Sequence, residues 1–205
     1  MRLILIRHAQ TLWNLQHKTQ GLSDTQLSTT GEEQTQNLAS HMGDYHASRV
    51  YTSPLQRAYQ TAHPIARFFN CPIAVDEGII EIKFGDWEGL TFDEIGETYP
   101  KELQLWNKEP LSCRIPGDAE SIAQVAMRID GFISRLKLLH AKQTVIVVTH
   151  TVPAKIIVAK ALGLPLNNIH LLRLDNASIS IINYYPDKAV LCLLNDTNHL
   201  KGCKL

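Results

Sequence analysis

Several things are scarce or missing in this sequence, and each absence excludes a class of function. Neither charge is in surplus: 20 Lys and Arg balance 20 Asp and Glu over 205 residues, so the formal net charge is zero. A chain with no basic excess has little electrostatic grip on nucleic acid or on an anionic membrane surface, and neither is an expected partner. No apolar run approaches the roughly eighteen residues needed to cross a bilayer. The opening stretch, Met1 to Arg7, is too short for a signal peptide and lacks a small-residue cleavage site. Cysteine is sparse. Cys71, Cys113, Cys192 and Cys203 stand far apart with no C-x-x-C pair, which argues against both a disulfide scaffold and a metal knuckle. What remains is a cytoplasmic, reduced globular protein, with enough apolar residues (44%) for one domain over residues 1–205.

The familiar phosphate and hydrolase signatures are missing too. There is no G-x-x-x-x-G-K-[ST] loop, no G-x-S-x-G elbow and no cysteine followed six residues on by arginine. No H-E-x-x-H, H-x-H or clustered Asp/His spacing suggests a metal, and no cofactor is implied.

What is present is an alternation of short apolar runs and amphipathic stretches, the pattern of an α/β protein. Leu3–Ile6 reads as a strand buried on both faces, Val50–Thr52 and Pro72–Val75 as further strands, and the β-branched run Thr144–Thr149 as the clearest strand of all. A helix is expected from Thr30 through Leu38 to Met42. Another should run from an N-cap at Ser53, with Pro54 in its first turn, to Phe68, with Pro64 as a kink or break. A third spans Ser121 to Leu139, and a fourth starts at Pro153 and ends at Gly163. Ser178–Tyr184 and Ala189–Leu194, joined by Pro186-Asp187, read as an edge hairpin. The Trp-, Glu- and Pro-rich segment from about 86 to 117 reads as a helical insertion over one rim. The expected fold is a three-layer α/β sandwich: a mostly parallel central sheet with helices on both faces, the insertion, and the antiparallel edge hairpin.

Two histidines stand out by position. His8 directly follows the strand Leu3–Ile6, and His150 directly follows Thr144–Thr149. Ligands of open α/β sheets bind at the carboxyl ends of the strands, so parallel neighbouring strands would bring both imidazoles to one crevice. Arg7 precedes His8, and Arg57 falls in the first turn after the strand Val50–Thr52. Arginine beside a buried strand needs an anion, and no acidic residue adjoins Arg7. Two arginines and two imidazoles suit a phosphoryl group, with neutral histidine as a competent nucleophile. Glu81, among aliphatic neighbours in Ile79-Ile80-Glu81-Ile82, reads equally as a proton donor raised by desolvation or as a strand-end carboxylate facing solvent. His17, His41, His46, His63, His140 and His170 read as ordinary surface or satisfied residues.

These residues fall into a larger ordered set. Arg7-His8-Ala9-Gln10-Thr11 with Trp13-Asn14, Gln20-Gly21, Ser53-Pro54-Leu55-x-Arg57-Ala58, Glu81 with Gly85-Asp86-Trp87-Glu88-Gly89, and Val147-Val148-Thr149-His150 resembles the histidine phosphatase superfamily, which includes the cofactor-dependent phosphoglycerate mutases. The resemblance covers nearly the whole chain. It implies His8 as phosphoryl acceptor, Glu81 as proton donor, and Arg7, Arg57, His150 and Asn14 as the phosphate pocket, with Gln20, Gly21 and Thr151 nearby. His150-Thr151-Val152-Pro153, Asp175-Asn176-Ala177-Ser178 and Asn195-x-Thr197-x-His199-Leu200 resemble the metal-independent phosphoserine phosphatase branch. Three positions depart: Ala9 stands for the usual glycine, Thr151 for a common glycine, and Phe84 where that branch would carry histidine. The implied activity is metal-independent phosphomonoester hydrolysis through a phosphohistidine, acting on L-phosphoserine in preference to 3-phosphoglycerate. His199 is expected to fold a polar group over the crevice and contact substrate. A broad-specificity or alpha-ribazole-type phosphatase, a phosphoglycerate mutase and a non-catalytic binding protein are the alternatives. The expected partner is a small phosphomonoester, and a homodimer is compatible with the chain.

Overall fold

The computed structural model describes residues 1–201 of the chain. Cys203 lies outside them, while Cys71, Cys113 and Cys192 are free thiols. In chain order the regular elements are β1 (Arg2–Arg7), α1 (Leu12–Leu15), α2 (Thr29–His41), β2 (Arg49–Thr52), α3 (Gln56–Phe69), β3 (Ile73–Val75), α4 (Phe92–Thr98), α5 (Pro100–Lys108), α6 (Ile122–Leu139), β4 (Thr144–Thr149), α7 (Thr151–Leu162), β5 (Ile179–Tyr184) and β6 (Ala189–Asp196). They build one six-stranded sheet in the order β3-β2-β4-β1-β5-β6. The β3-β2, β2-β4 and β4-β1 pairs are parallel, and β5 and β6 add as an antiparallel hairpin at one edge.

Alternation along each strand divides the core into two layers. Leu3, Leu5, Tyr51, Val145 and Val147 pack with α6 and α7 on one face. Ile4, Ile6, Val50, Ile146 and Val148 pack with α2 and α3 on the other. Both faces are covered, which is why the central strands are aliphatic throughout. No helix among the described residues is long and apolar enough to cross a membrane.

Local chemistry moved two expected helix starts. Ser53 does not cap α3. Its Oγ accepts the Leu55 N–H at 3.3 Å and meets His150, and the helix begins three residues later, at Gln56. The cap comes instead from a distant loop, because both Asp24 carboxylate oxygens accept the Gln56 N–H at 2.9 and 3.1 Å. Likewise α7 starts at Thr151, two residues before Pro153, because Glu81 accepts its first N–H groups. Pro64 stays inside α3 without splitting it. Proline removes one backbone bond, and Ala58, Ala62, Ile65 and Ala66 buried on one stripe hold the rest. Gly163 ends α7 in the left-handed region at φ 67°, as its position suggested. Within 86–117, α4 and α5 are helical, and Trp106 joins Phe84 and Trp87 in an aromatic cluster with ring centroids 5.5–6.4 Å apart.

Candidate active site

Register brings the two histidines together. Arg7 and Thr149 are partners in the parallel β1-β4 ladder, so the next residue of each strand emerges at the same edge. The His8 N–H continues the ladder to the Thr149 carbonyl at 2.8 Å. The imidazoles of His8 and His150 lie with centroids 5.1 Å apart, both buried. Around His8 opens a crevice of about 430 Å³ lined by Arg7, Asn14, Gln20, Gly21, Arg57, Glu81 and Thr151, among others, while His150 lies behind this lining and does not form part of it.

The hydrogen bonds fix the tautomer of each ring. His8 Nδ1 lies 2.7 Å from the Ala9 carbonyl oxygen. A carbonyl only accepts, so Nδ1 carries the hydrogen and the lone pair of the neutral ring is on Nε2. Burial, and then Arg57 and Arg7, hold the His8 pKa well below the ordinary histidine value, so the ring is neutral at physiological pH. Arg57 Nε donates to His150 Nδ1 at 3.2 Å, which leaves the hydrogen of that ring on Nε2, donating to Ser53 Oγ at 2.7 Å. Burial and the same arginines keep His150 neutral as well.

Each guanidinium is anchored by carbonyls. Arg57 is fully buried; its Nη2 donates to the Gly21 carbonyl at 2.7 Å and its Nη1 to the Ser23 carbonyl at 2.8 Å. Gly21 supplies that carbonyl from φ 54°, and a Cβ there would sit 2.1 Å from Glu88 Oε1, so a larger residue would be strained and would displace the Glu88 carboxylate from the loop. Glu88 holds the same loop by accepting the Leu22 and Ser23 N–H groups. Arg7 Nη1 donates to the Leu174 carbonyl at 2.7 Å, while its buried Nε has no protein partner. A buried donor left unpaired is costly, and an anionic ligand in the crevice would satisfy it.

Glu81 is buried, not solvent-facing. Its Oε1 accepts the Ile82 and Val152 N–H groups at 3.0 and 3.3 Å, and its Oε2 the Thr151 N–H at 3.1 Å. Burial pushes its pKa up and outweighs the Ile82 and Val152 N–H groups, Arg57 and Arg7, which favour the anion. Thr151 therefore contributes its amide to Glu81, and its β-branched side chain is no obstacle in the first turn of a helix. Ala9 needs no positive φ, which explains why alanine replaces glycine there. Asn14 Oδ1 accepts from the Thr11 N–H and from Asn176 Nδ2, at 3.0 and 3.2 Å, which turns its amide NH₂ into the group free for a ligand's oxygens. Gln20 lines the crevice with its Oε1 accepting from Thr25 Oγ1 at 2.6 Å.

One expected contact is absent. His199 does not line the crevice. β6 does run parallel to β1 and ends at the same edge of the sheet, but the 3₁₀ turn at Asn198–Leu200 packs against α2. There His199 stacks on His41 at 5.4 Å and its Nε2 meets the Ala177 carbonyl at 3.0 Å. The expected contact of His199 with substrate is therefore not made. Conversely, Lys155 lines the crevice without having been singled out in the sequence, and Ser53 and Asn176, quoted there only as a cap and as motif residues, support the site by contacting His150 and Asn14. His17 and His170, read as surface residues, are exposed but stand at the crevice mouth. Lys155 had a usable signal, since it lies one helical turn after Thr151 and shares its face. Phe84, with Trp106, forms an apolar wall where a polar group was expected.

A pocket with a neutral imidazole lone pair, two guanidinium groups and a buried carboxyl can bind a phosphoryl group and accept it on nitrogen. Comparison with known proteins places the chain among phosphatases. Residues 3–197 match the histidine phosphatase superfamily (branch 1). The chain is 38% identical over 200 residues to phosphoserine phosphatase 1 of Hydrogenobacter thermophilus, covering 98% of this chain and 94% of the relative. Among solved structures it resembles a phosphoserine phosphatase mutant from Entamoeba histolytica in complex with phosphoserine, with a TM-score of 0.87 and 30% identity over 97% of this chain and 98% of that one. It also resembles the alpha-ribazole phosphatase from Shigella flexneri, with a TM-score of 0.85 and 29% identity over 96% of each chain. The chain belongs to the histidine phosphatase superfamily, branch 1.

Proposed function

We propose that this phosphatase hydrolyses a small phosphomonoester through a phosphohistidine on His8, with L-phosphoserine as its substrate. The observation that carries the reading is the fixed tautomer of His8, whose Nδ1–H on the Ala9 carbonyl leaves the Nε2 lone pair for attack. In the first step Nε2 bonds to phosphorus as the ester P–O bond breaks, and the departing alkoxide takes the proton of Glu81. In the second step the Glu81 carboxylate takes a proton from water as its oxygen attacks phosphorus. The P–N bond breaks, inorganic phosphate leaves, and both groups return to their starting states. Arg7, Arg57 and Asn14 hold the phosphoryl oxygens, and His150, whose two ring nitrogens meet Arg57 Nε and Ser53 Oγ, acts through Arg57 by holding its guanidinium in position. The guanidinium charge is matched to the charge of the transferring group and is already in place before the reaction begins.

Support for the amino-acid substrate comes from the two phosphoserine phosphatases it resembles. Phosphate release from L-phosphoserine, 3-phosphoglycerate, p-nitrophenyl phosphate and a nucleoside-type phosphate tests it. L-phosphoserine is expected to give the highest kcat/KM of the natural esters, without mutase activity on phosphoglycerate. A better rate on 3-phosphoglycerate or on the nucleoside-type ester would overturn the substrate and leave the histidine chemistry standing.

Among the described residues, no three His, Cys, Asp or Glu side chains cluster in a way that would hold a metal ion. In the proposed site the positive charge comes from Arg7 and Arg57. Activity is therefore expected to persist after exhaustive dialysis against EDTA. Loss of phosphate release that returns on adding Mg²⁺ or Zn²⁺ would contradict this.

A further inference from the structure

Beyond the phosphoryl pocket, the crevice holds a cation that the proposed mechanism does not use. Among the described residues lining it, the lysines and arginines are Arg7, Lys18, Arg57 and Lys155. Arg7 and Arg57 donate to carbonyls, and the Lys18 ammonium lies 5.9 Å from the centroid of the Trp13 ring. The Lys155 ammonium makes no hydrogen bond, ion pair or ring contact with any of the described residues. It is partly buried on α7, four residues after Thr151, whose N–H meets Glu81. Side chains on a helix lean toward its N-terminus, so Lys155 reaches back over that turn and into the crevice, about 6 Å along the axis from Thr151. Burial, and then Arg7, lower its pKa, while Glu81 acts in the opposite direction. Glu81 is the one carboxylate among the described lining residues, and it is already committed to three backbone N–H groups. Phe84, Phe92, Pro110, Val152 and Ile169 make part of the wall apolar, and none of the polar side chains that complete it, Thr19, Thr151 and His170 among them, carries a negative charge. An ammonium in such surroundings is stabilised by an anion brought in with the ligand.

We propose that Lys155 receives a carboxylate carried by the leaving group, and so selects phosphomonoesters of short hydroxy acids and amino acids over uncharged or purely cationic alkyl phosphates. The proposal rests on the phosphatase reading of the same crevice and adds the residue that sets its substrate class. It places a lysine on the carboxylate and finds no acidic side chain for the ammonium of an amino acid, so the carboxylate is the group recognised.

The test compares L-phosphoserine with O-phosphoethanolamine, which differ only in the carboxylate, in the native protein and in Lys155→Met, Lys155→Gln and Lys155→Arg. The native protein is expected to favour L-phosphoserine. Lys155→Met and Lys155→Gln should lower the ratio of kcat/KM for the two esters by roughly 10- to 100-fold, the worth of a charge-assisted hydrogen bond, with the change in KM for L-phosphoserine and not in kcat. Lys155→Arg should restore a large part of the ratio. An unchanged ratio in both neutral variants, or equal losses on both esters, overturns the assignment while the phosphatase reading stands. Absence of phosphate release by the native protein from either ester and from p-nitrophenyl phosphate overturns both.

Discussion

Replacing His8 with alanine is expected to reduce phosphate release by roughly 10⁶-fold, the scale seen when the nucleophile of a covalent mechanism is removed. Neither His150 nor the two arginines can take its place. His150 Nδ1 already accepts from Arg57 Nε, and its Nε2 carries the hydrogen that meets Ser53 Oγ, so its ring has no lone pair directed at the ligand. Arg7 and Arg57 have no nucleophilic atom at any accessible pH. In the native protein, rapid quenching during turnover should trap one acid-labile, base-stable phosphate, and peptide mapping should place it on His8. The variant should keep Arg7, Arg57 and His150, so inorganic phosphate or vanadate should still protect it against thermal unfolding, which separates loss of chemistry from loss of the fold. Appreciable turnover by the variant, or phosphate trapped on another residue, would sink the mechanism.

Much of this was legible because the two histidines are placed by backbone register, and register follows from aliphatic patterning. Leu3–Ile6 and Thr144–Thr149 each read as a strand buried on both faces, and such strands belong in the middle of a parallel sheet. Once they pair, the residue after each must emerge at the same edge. Arg57 was legible for a similar reason, since it falls in the first turn after β2, which pairs with β4. The helix starts were less so, because their caps come from far along the chain. Asp24 satisfies the first N–H of α3 and Glu81 those of α7, and neither carboxylate neighbours its helix in sequence. His199 shows the limit of the argument from strand ends. β6 ends at the crevice edge of the sheet, yet a single 3₁₀ turn sends the imidazole to the α2 side, where His41 supplies an aromatic face. Strand order tells which edge a residue reaches; the packing of the following turn tells which face it takes.

Glu81→Gln is the substitution expected to separate proton transfer from binding. Glutamine keeps the shape, and its one acceptor oxygen at the Oε1 position still serves the Ile82 and Val152 N–H groups, so of the three bonds only that of the Thr151 N–H is lost and the fold should be kept. What it loses is the transferable proton. For an alkyl ester such as L-phosphoserine, whose leaving alkoxide is strongly basic, kcat should fall roughly 10²- to 10⁴-fold. For p-nitrophenyl phosphate, whose leaving group hardly needs a proton, the fall should be much smaller. Equal losses on both esters would mean that Glu81 positions substrate and transfers nothing. The pH profile gives a second, independent reading. Burial raises the Glu81 pKa above the usual carboxylate value, and the negative charge of a bound phosphoryl group raises it further. The donor is the protonated form, so kcat on L-phosphoserine should decline as pH rises through that raised pKa. The same decline should be weak for p-nitrophenyl phosphate and absent in Glu81→Gln. His8 does not produce it, because the neutral imidazole is the nucleophile and its titration can only raise the rate as pH increases. One carboxyl group thus accounts for two measurable differences, between esters and across pH. Both arise because its burial among Ile79, Ile82 and Val152 outweighs the arginines beside it.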